Sequence, residues 1–182
     1  NTTIGKDLTV DGSETVKGDS NTTGNSNVGG NSTVTGNSET KGNETVDGSN
    51  HIKQDQTVDG NQETGGNSHV KGNQTVDGTS TLTGDVTTGS NVTVGKDLTT
   101  NGNSETKGNS TVDGNATVKG DAAINGNTQI DKDLSVKGNE SVDGSSTIGG
   151  DSHVKGSQIV DKDQTVGGNA TVKGDSTING NQ

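Results

Sequence analysis

Three histidines, six glutamates and a recurrent set of aspartates are, beside the lysines, the side chains here that could do acid, base or metal chemistry, since the 182 residues contain no Cys, Met, Trp, Tyr or Phe. His51, His69 and His153 are far apart in the chain and each occupies a place elsewhere held by threonine. Glu14, Glu44, Glu140, Glu39, Glu63 and Glu105 scatter likewise. Catalysis needs a pocket in which such groups tune one another, and nothing in this spacing builds one. The expectation is no catalytic residue, no cofactor-binding residue and no metal ligand. Calcium is the better question, because aspartate and asparagine oxygens that stack would suit a hard cation. The Gly-Gly-x-Gly-x-Asp spacing of calcium-binding rolls is absent, and bends use the same residues without an ion. No cofactor is therefore expected.

The frame that carries these residues is a strict period of six. From Asn1 the chain reads NTTIGK, DLTVDG, SETVKG and onward to DSTING, thirty hexads plus Asn181 and Gln182, with no insertion or deletion. Position four is aliphatic in 24 hexads and Thr in six: Thr22, Thr40, Thr64, Thr88, Thr100 and Thr106. Position six is Gly in 24, and the other seven glycines all stand at position five. Position one is Asn or Asp in 25, and position three is Thr in 17. Such a register has no purpose in a disordered linker, although the composition alone, 19% hydrophobic with 31 Gly, resembles one.

Val, Ile and Thr favour an extended, pleated segment. Gly followed by Asn or Asp suits a corner, Gly through its freedom to take positive φ and Asx by bonding its own backbone. Each hexad is thus one short strand and one corner, and residues 1–182 form one continuous all-β parallel solenoid without linker or inserted loop. The inward residues are expected at position four: Val10, Val16, Val28, Val34, Val46, Ile52, Val58, Val70, Val76, Val112, Val118, Ile124, Ile130, Val136, Val142, Ile148, Val154, Val160, Val166, Val172 and Ile178. Whether position two faces in or out stays open.

Three packings share the period. A single-chain triangular coil has three hexads per turn and lays hexad n on n+3. An antiparallel meander pairs n with a reversed n+1. In an intertwined homotrimer, hexad n of one chain lies on n+1 of another. Position five separates them, being Lys in nine hexads and Asp in eight. Where consecutive hexads are both charged there, the ten pairs are all opposite in sign. They include the alternating runs Lys41, Asp47, Lys53, Asp59, then Lys107, Asp113, Lys119, and then Asp131, Lys137, Asp143. At a separation of three hexads, seven pairs are alike and one is opposite. Like charges facing each other on a sheet destabilise it. The intertwined homotrimer is therefore the favoured expectation and the single-chain coil the alternative.

The string Val-(Asp/Lys)-Gly-(Asn/Asp)-x-Thr, as in Val112-Asp113-Gly114-Asn115-Ala116-Thr117, resembles the repeat of triple-stranded β-helices in bacteriophage tail spikes and fibres and type VI secretion spikes. That resemblance implies a homotrimeric shaft with inward Val and corner Gly. It departs from the family in its period, six rather than eight. The hexads also resemble hexapeptide acyltransferases, single-chain solenoids, but position two carries five Gln, three Glu, three Leu and one Asn, and no loop interrupts the coils. Columns of outward Thr are similar to those of ice-binding solenoids, interrupted here by charged residues, His and Asn.

A net charge of −11 and an isoelectric point near 4.5 argue against a nucleic-acid partner. No apolar run approaches the roughly 20 residues of a membrane span, so membrane insertion is not expected. The expected role is a non-enzymatic structural shaft, outside the cell or on a virion surface, that associates with copies of itself and carries a receptor-binding or tip domain of unknown kind. Asn1 as the first residue is what a processed chain or a segment of a longer one would show.

Overall fold

The computed structural model describes residues 1–182 and consists of thirty strands of three residues, each formed by positions two to four of its hexad, from β1 (Thr2–Ile4) to β30 (Ser176–Ile178). They form three parallel ten-stranded sheets: β1-β4-β7 through β28, β2-β5-β8 through β29, and β3-β6-β9 through β30. Every strand pairs with the one three hexads away, in register, as Gln56, Thr57 and Val58 pair with Gln74, Thr75 and Val76. The chain is thus a triangular coil of about ten turns, three hexads to the turn.

This is the single-chain alternative, 18 residues to the turn, with hexad n lying on hexad n+3 of the same chain. Within this coil the charged fifth positions do not make the cross-strand pairs expected of them. Lys41, Asp47 and Lys53 fall on successive corners instead of facing one another, and so do Lys107, Asp113 and Lys119, and Asp131, Lys137 and Asp143. Asp59 alone comes round above an opposite charge, Lys41, its amide bonding the Thr40 carbonyl. Elsewhere like charges stack. The amides of Lys137, Lys155 and Lys173 bond the carbonyls of Val118, Val136 and Val154, which places Lys119, Lys137, Lys155 and Lys173 in one column. On the next corner the amide of Asp161 bonds the carbonyl of Val142, so Asp143 has Asp161 above it and not a lysine.

The physical reason is that hydrogen bonds outweigh this repulsion between exposed charges, which water screens. Strand pairs contribute 54 of the 129 backbone bonds, two for each stacked pair, and the corners contribute 75. In the corners, positions two, five and six donate to a neighbouring coil, as in Ser38 to Asp55, Lys41 to Thr22 and Gly42 to Gly24, position six failing at Gln54, Ser90, Lys96, Gly102, Lys132, Lys162 and Gly180. One donor per hexad is left over, the N–H of position one. The Asx side chain one coil below takes it: Asn43 N–H donates to Asn25 Oδ1 at 2.9 Å and Asn139 N–H to Asp121 Oδ1 at 2.8 Å. The bond is missing only above Thr79, Ser145 and Ser157, whereas Ser13 and Ser49 make it through Oγ at 3.0 and 3.3 Å.

The same lock explains the glycines, and here too an expectation is corrected. No residue has positive φ, glycine included. Position six needs Gly because the lower coil occupies the space of a Cβ: at Gly42 that atom would lie 2.5 Å from Asn25 Oδ1 and 2.7 Å from the carbonyl of Gly24. The hexads that lack Gly there follow the rule. Lys96 and Lys162 lie above Thr79 and Ser145, where the lock is missing, and Lys6 lies in the first coil. Gln54, Ser90 and Lys132 lie above intact locks, and all three bonds stretch to 3.2 Å. The one other bond of that length ends the ladder at Asn181.

Position four is buried as expected, with Val58, Val70, Val76, Val112, Val136, Val142, Val154 and Val160 at 0% exposure. Val10, Val166, Val172 and Ile178, in the end coils, are half-buried because they are stacked on one side only. Position two also faces inward, answering the open question: Ser80, Leu98, Ala116 and Gln56 are all buried. The core is two side chains per strand, not one.

Gly42→Ala should therefore cost about 1–3 kcal/mol, the range for an overpacked site. Gly12→Ala, where nothing lies within 4 Å of the new atom, should change stability by less than ~0.5 kcal/mol. Thermal melts of the two variants followed by circular dichroism check the contrast.

Candidate functional site

Most of the chemistry-bearing side chains lie in two places, outside on the flat faces and corners, or inside the coil. Outside, β9 (Asn50–Ile52) and β12 (Ser68–Val70) are register partners, so His51 and His69 stack with ring centroids 4.9 Å apart and planes 9° from parallel. They are three hexads apart in sequence but one coil apart in space. Partial burial, then His69, Lys71 and Lys53, hold His51 below its ordinary value, so it is neutral near pH 7. His153 is on a different sheet, paired with Ser135 and Thr171. No group of three or more His, Cys, Asp or Glu is placed to hold a metal ion.

The one concave feature is an open hollow of about 280 Å³ at an early corner, lined among others by Asp11, Gly29 and Asp47 with Thr9, Asn27 and Thr45. The absence of a side chain at Gly29, between two aspartates, creates it. Neither a nucleophile with its base nor an acid–base pair is present among these residues.

Inside, the chain holds a polar network that the period conceals. Glu44 on β8 (Glu44–Val46) accepts from Asn50 Nδ2 on β9 at 2.8 Å and from Gln56 Nε2 on β10 (Gln56–Val58) at 2.7 Å. Thr40 Oγ1 donates to its other oxygen at 3.3 Å. Three consecutive strands, one from each sheet, thus meet at one carboxyl group. In the next coil Gln74 Nε2 donates to Gln62 Oε1 at 2.7 Å, and farther along Gln158 Nε2 donates to Glu140 Oε2 at 2.7 Å. Between these polar stretches the interior turns apolar, where Val86, Val92, Leu98, Ala116, Ala122 and Leu134 fill position two. Of the six inner threonines, Thr40 finds Glu44, while Thr64, Thr88 and Thr100 have no partner for Oγ1.

Burial pushes Glu44 and Glu140 up to about 7 from 4.5, against the opposing effect of their hydrogen bonds. Partial burial raises Glu14 as well. The arrangement suits neutral carboxyl groups holding an interior together. Glu44 and Glu140 are at most 4% exposed, closed off from a substrate.

The outward third positions of the first sheet align four threonines, Thr57, Thr75, Thr93 and Thr111, in consecutive coils. Glu39 borders the run at one end and Gln129 at the other. The fifth positions form the three corners, and all their charged residues are exposed.

Comparison of the chain with family models, curated proteins and solved structures finds no match.

The buried carboxyls make stability depend on pH. Their folded values lie above the unfolded one of 4.5, so between that value and about 7 the folded chain binds protons that the unfolded chain releases. Stability is then greatest below about 4.5, falls as pH rises toward about 7, and is level above. The loss is on the order of 3 kcal/mol for each group. Glu44→Gln and Glu140→Gln keep an acceptor for Asn50, Gln56 and Gln158, and each should remove about half of the fall in thermal midpoint between pH 5 and pH 8. An unchanged pH profile in the double variant would overturn this assignment.

Proposed function

We propose that this chain is a non-enzymatic structural rod, a shaft segment that sets the distance between what is joined at its two ends. The observation that carries the reading is the unbroken ladder: thirty strands in three sheets with the same register throughout and no loop leaving the coil. A loop would be the natural place for a binding or catalytic group on such a scaffold. At ~4.8 Å per coil, ten coils span ~48 Å, and stretching the rod would break parallel hydrogen bonds on all three faces at once.

The resemblance of the hexads to the shafts of phage tail spikes and fibres supports placing the rod in an extracellular or virion-surface fibre, with a tip or receptor-binding part borne elsewhere. Such a rod uses no cofactor, calcium included. Its acidic surface favours neither nucleic acid nor an anionic membrane.

A second reading has one observation behind it. The run Thr57, Thr75, Thr93 and Thr111 is a flat, regularly spaced hydroxyl column of the kind an ice surface would meet. Its ends are closed by Glu39 and Gln129, so it extends over only ~14 Å.

Small-angle scattering on dilute protein in high salt should give a rod ~48 Å long with the cross-section of a single coil. A length near ~144 Å, that of thirty strands stacked singly, would refute the single-chain coil. Thermal hysteresis with faceted ice crystals, lost on replacing Thr75 and Thr93 by Lys, would establish the second reading, and plain freezing behaviour would dismiss it.

A further inference from the structure

The corner charges are unexplained by the coil they sit on. Within a corner, residues of like sign stack at one-coil spacing: Lys119, Lys137, Lys155 and Lys173 after the second sheet, Asp59 and Asp77 after the first, Lys53 and Lys71 after the third. All of them are exposed. This arrangement repels itself. Yet wherever two corners carry charge in consecutive hexads, the signs are opposite in all ten cases. Consecutive hexads differ in height by only a third of a coil, ~1.6 Å. Inside one molecule such corners are a whole side of the triangle apart, at most ~20 Å for six extended residues.

Two rods laid side by side, parallel and level, remove that separation. The corner after the third sheet on one copy then faces the corner after the first sheet on the other. Lys53 meets Asp59, Lys71 meets Asp77 and Lys107 meets Asp113. Between the second and third of these pairs, Gly89 meets Gly95, so that the coil between them presents no side chain to hold the rods apart. The other two corner combinations also match. One joins Asp113 with Lys119 and Asp131 with Lys137, and the other joins Lys137 with Asp143 and Lys155 with Asp161. In no combination do residues one hexad apart carry like charges.

We propose that copies of this chain associate laterally, parallel and in register, through their corners, with the Lys53, Lys71 and Lys107 edge of one rod against the Asp59, Asp77 and Asp113 edge of the next. The partner is a second copy. The inference rests on the rod reading and adds to it how rods bundle. It also accounts for the sign alternation without intertwined chains, since opposite charges one hexad apart are brought together between coils, not within a ladder. Exposed pairs of this kind are individually weak and screened by salt, so association is expected to depend on ionic strength and on repetition along the rod.

The test is a charge swap in sedimentation velocity. The wild-type chain should associate at 20 mM salt and dissociate at 500 mM. A variant with Lys53→Asp, Lys71→Asp and Lys107→Asp makes both of these edges acidic and should associate more weakly, through the two other corner combinations alone, as should one with Asp59→Lys, Asp77→Lys and Asp113→Lys, which makes both edges basic. Mixing the two should restore association, because each then offers the other an opposite edge. Circular dichroism of each variant verifies that it folds. Carbodiimide cross-linking of mixed ¹⁴N and ¹⁵N wild-type copies should join Lys53 to Asp59 and Lys71 to Asp77 between molecules. A wild-type chain that remains monomeric at low salt, association indifferent to the swaps, or cross-links in another register would each overturn the proposal. So would capture of a polyanion such as heparin by the lysine column in place of self-association. In the same runs the frictional ratio of the monomer at 500 mM salt reports the rod itself, so failure of the rod and failure of the bundle are read separately.

Discussion

One backbone donor in six governs this molecule. In a parallel coil of six-residue sides, strands and corners satisfy five amides through backbone carbonyls and leave the N–H of position one without a partner. A buried or stacked amide without a partner costs about as much as a lost hydrogen bond, and here the cost would recur at every corner. The Asx oxygen one coil below removes it. The oxygen then occupies the place where a Cβ at position six would go, so Asx at one position and Gly at the other form a single device. The lengthened bonds beneath Gln54, Ser90 and Lys132 show what happens when half of that device is replaced.

With the corners locked, the interior can be unusually polar. Burying a carboxamide or a carboxyl is unfavourable unless its hydrogen bonds are made, and a triangular interior only two side chains deep brings three faces within reach of one another. Glu44, Asn50 and Gln56 come from consecutive strands on three sheets, and the two amides donate to the carboxyl at 2.8 and 2.7 Å, Asn50 Oδ1 being left without a partner. Farther along, leucine, valine and alanine occupy the same position and no polar partner is required. The coil therefore accepts either chemistry at position two, provided that neighbouring coils agree. Isolated misfits such as Thr64, Thr88 and Thr100 stay buried with an unpaired hydroxyl, which the ladders around them hold in place.

The period of six, the strand at positions two to four and the inward Val and Ile were legible in the residues, because each depends on local pattern alone. The stacking of hexad n on n+3 was not, because the charges at position five, from Lys41 to Asp143, point the other way and pairwise electrostatics gives them the only visible vote. The lock seen in the coil is a hydrogen bond to an asparagine side chain from a backbone amide three hexads on. Asparagine at a bend has a sufficient local explanation that hides it. Glycine misled in the same manner: corner glycine suggests positive φ, whereas here the requirement is space for the coil below. The buried glutamates could have been found only by asking which long polar residues at position two recur close enough to pair. Glu44, Asn50 and Gln56, each one hexad from the next, carry that signal.

Position by position, the coil consumes nearly all the information in its repeat. Positions one and six answer to the lock, position four to the core and position two to its neighbours across the axis. Only positions three and five face outward, free of the ladder. A position under no constraint from the coil should drift, and position three largely does, passing among Thr, Ser, Asn, Gln, His, Glu, Ala and Ile. Position five does not. Its signs stack against the interest of the single rod, seven like pairs to one opposite, and alternate without exception between adjacent corners at the same height. The ladders tolerate this self-repulsion within each rod, and a neighbouring rod relieves it. A level, parallel neighbour presents the opposite sign wherever residues one hexad apart are both charged.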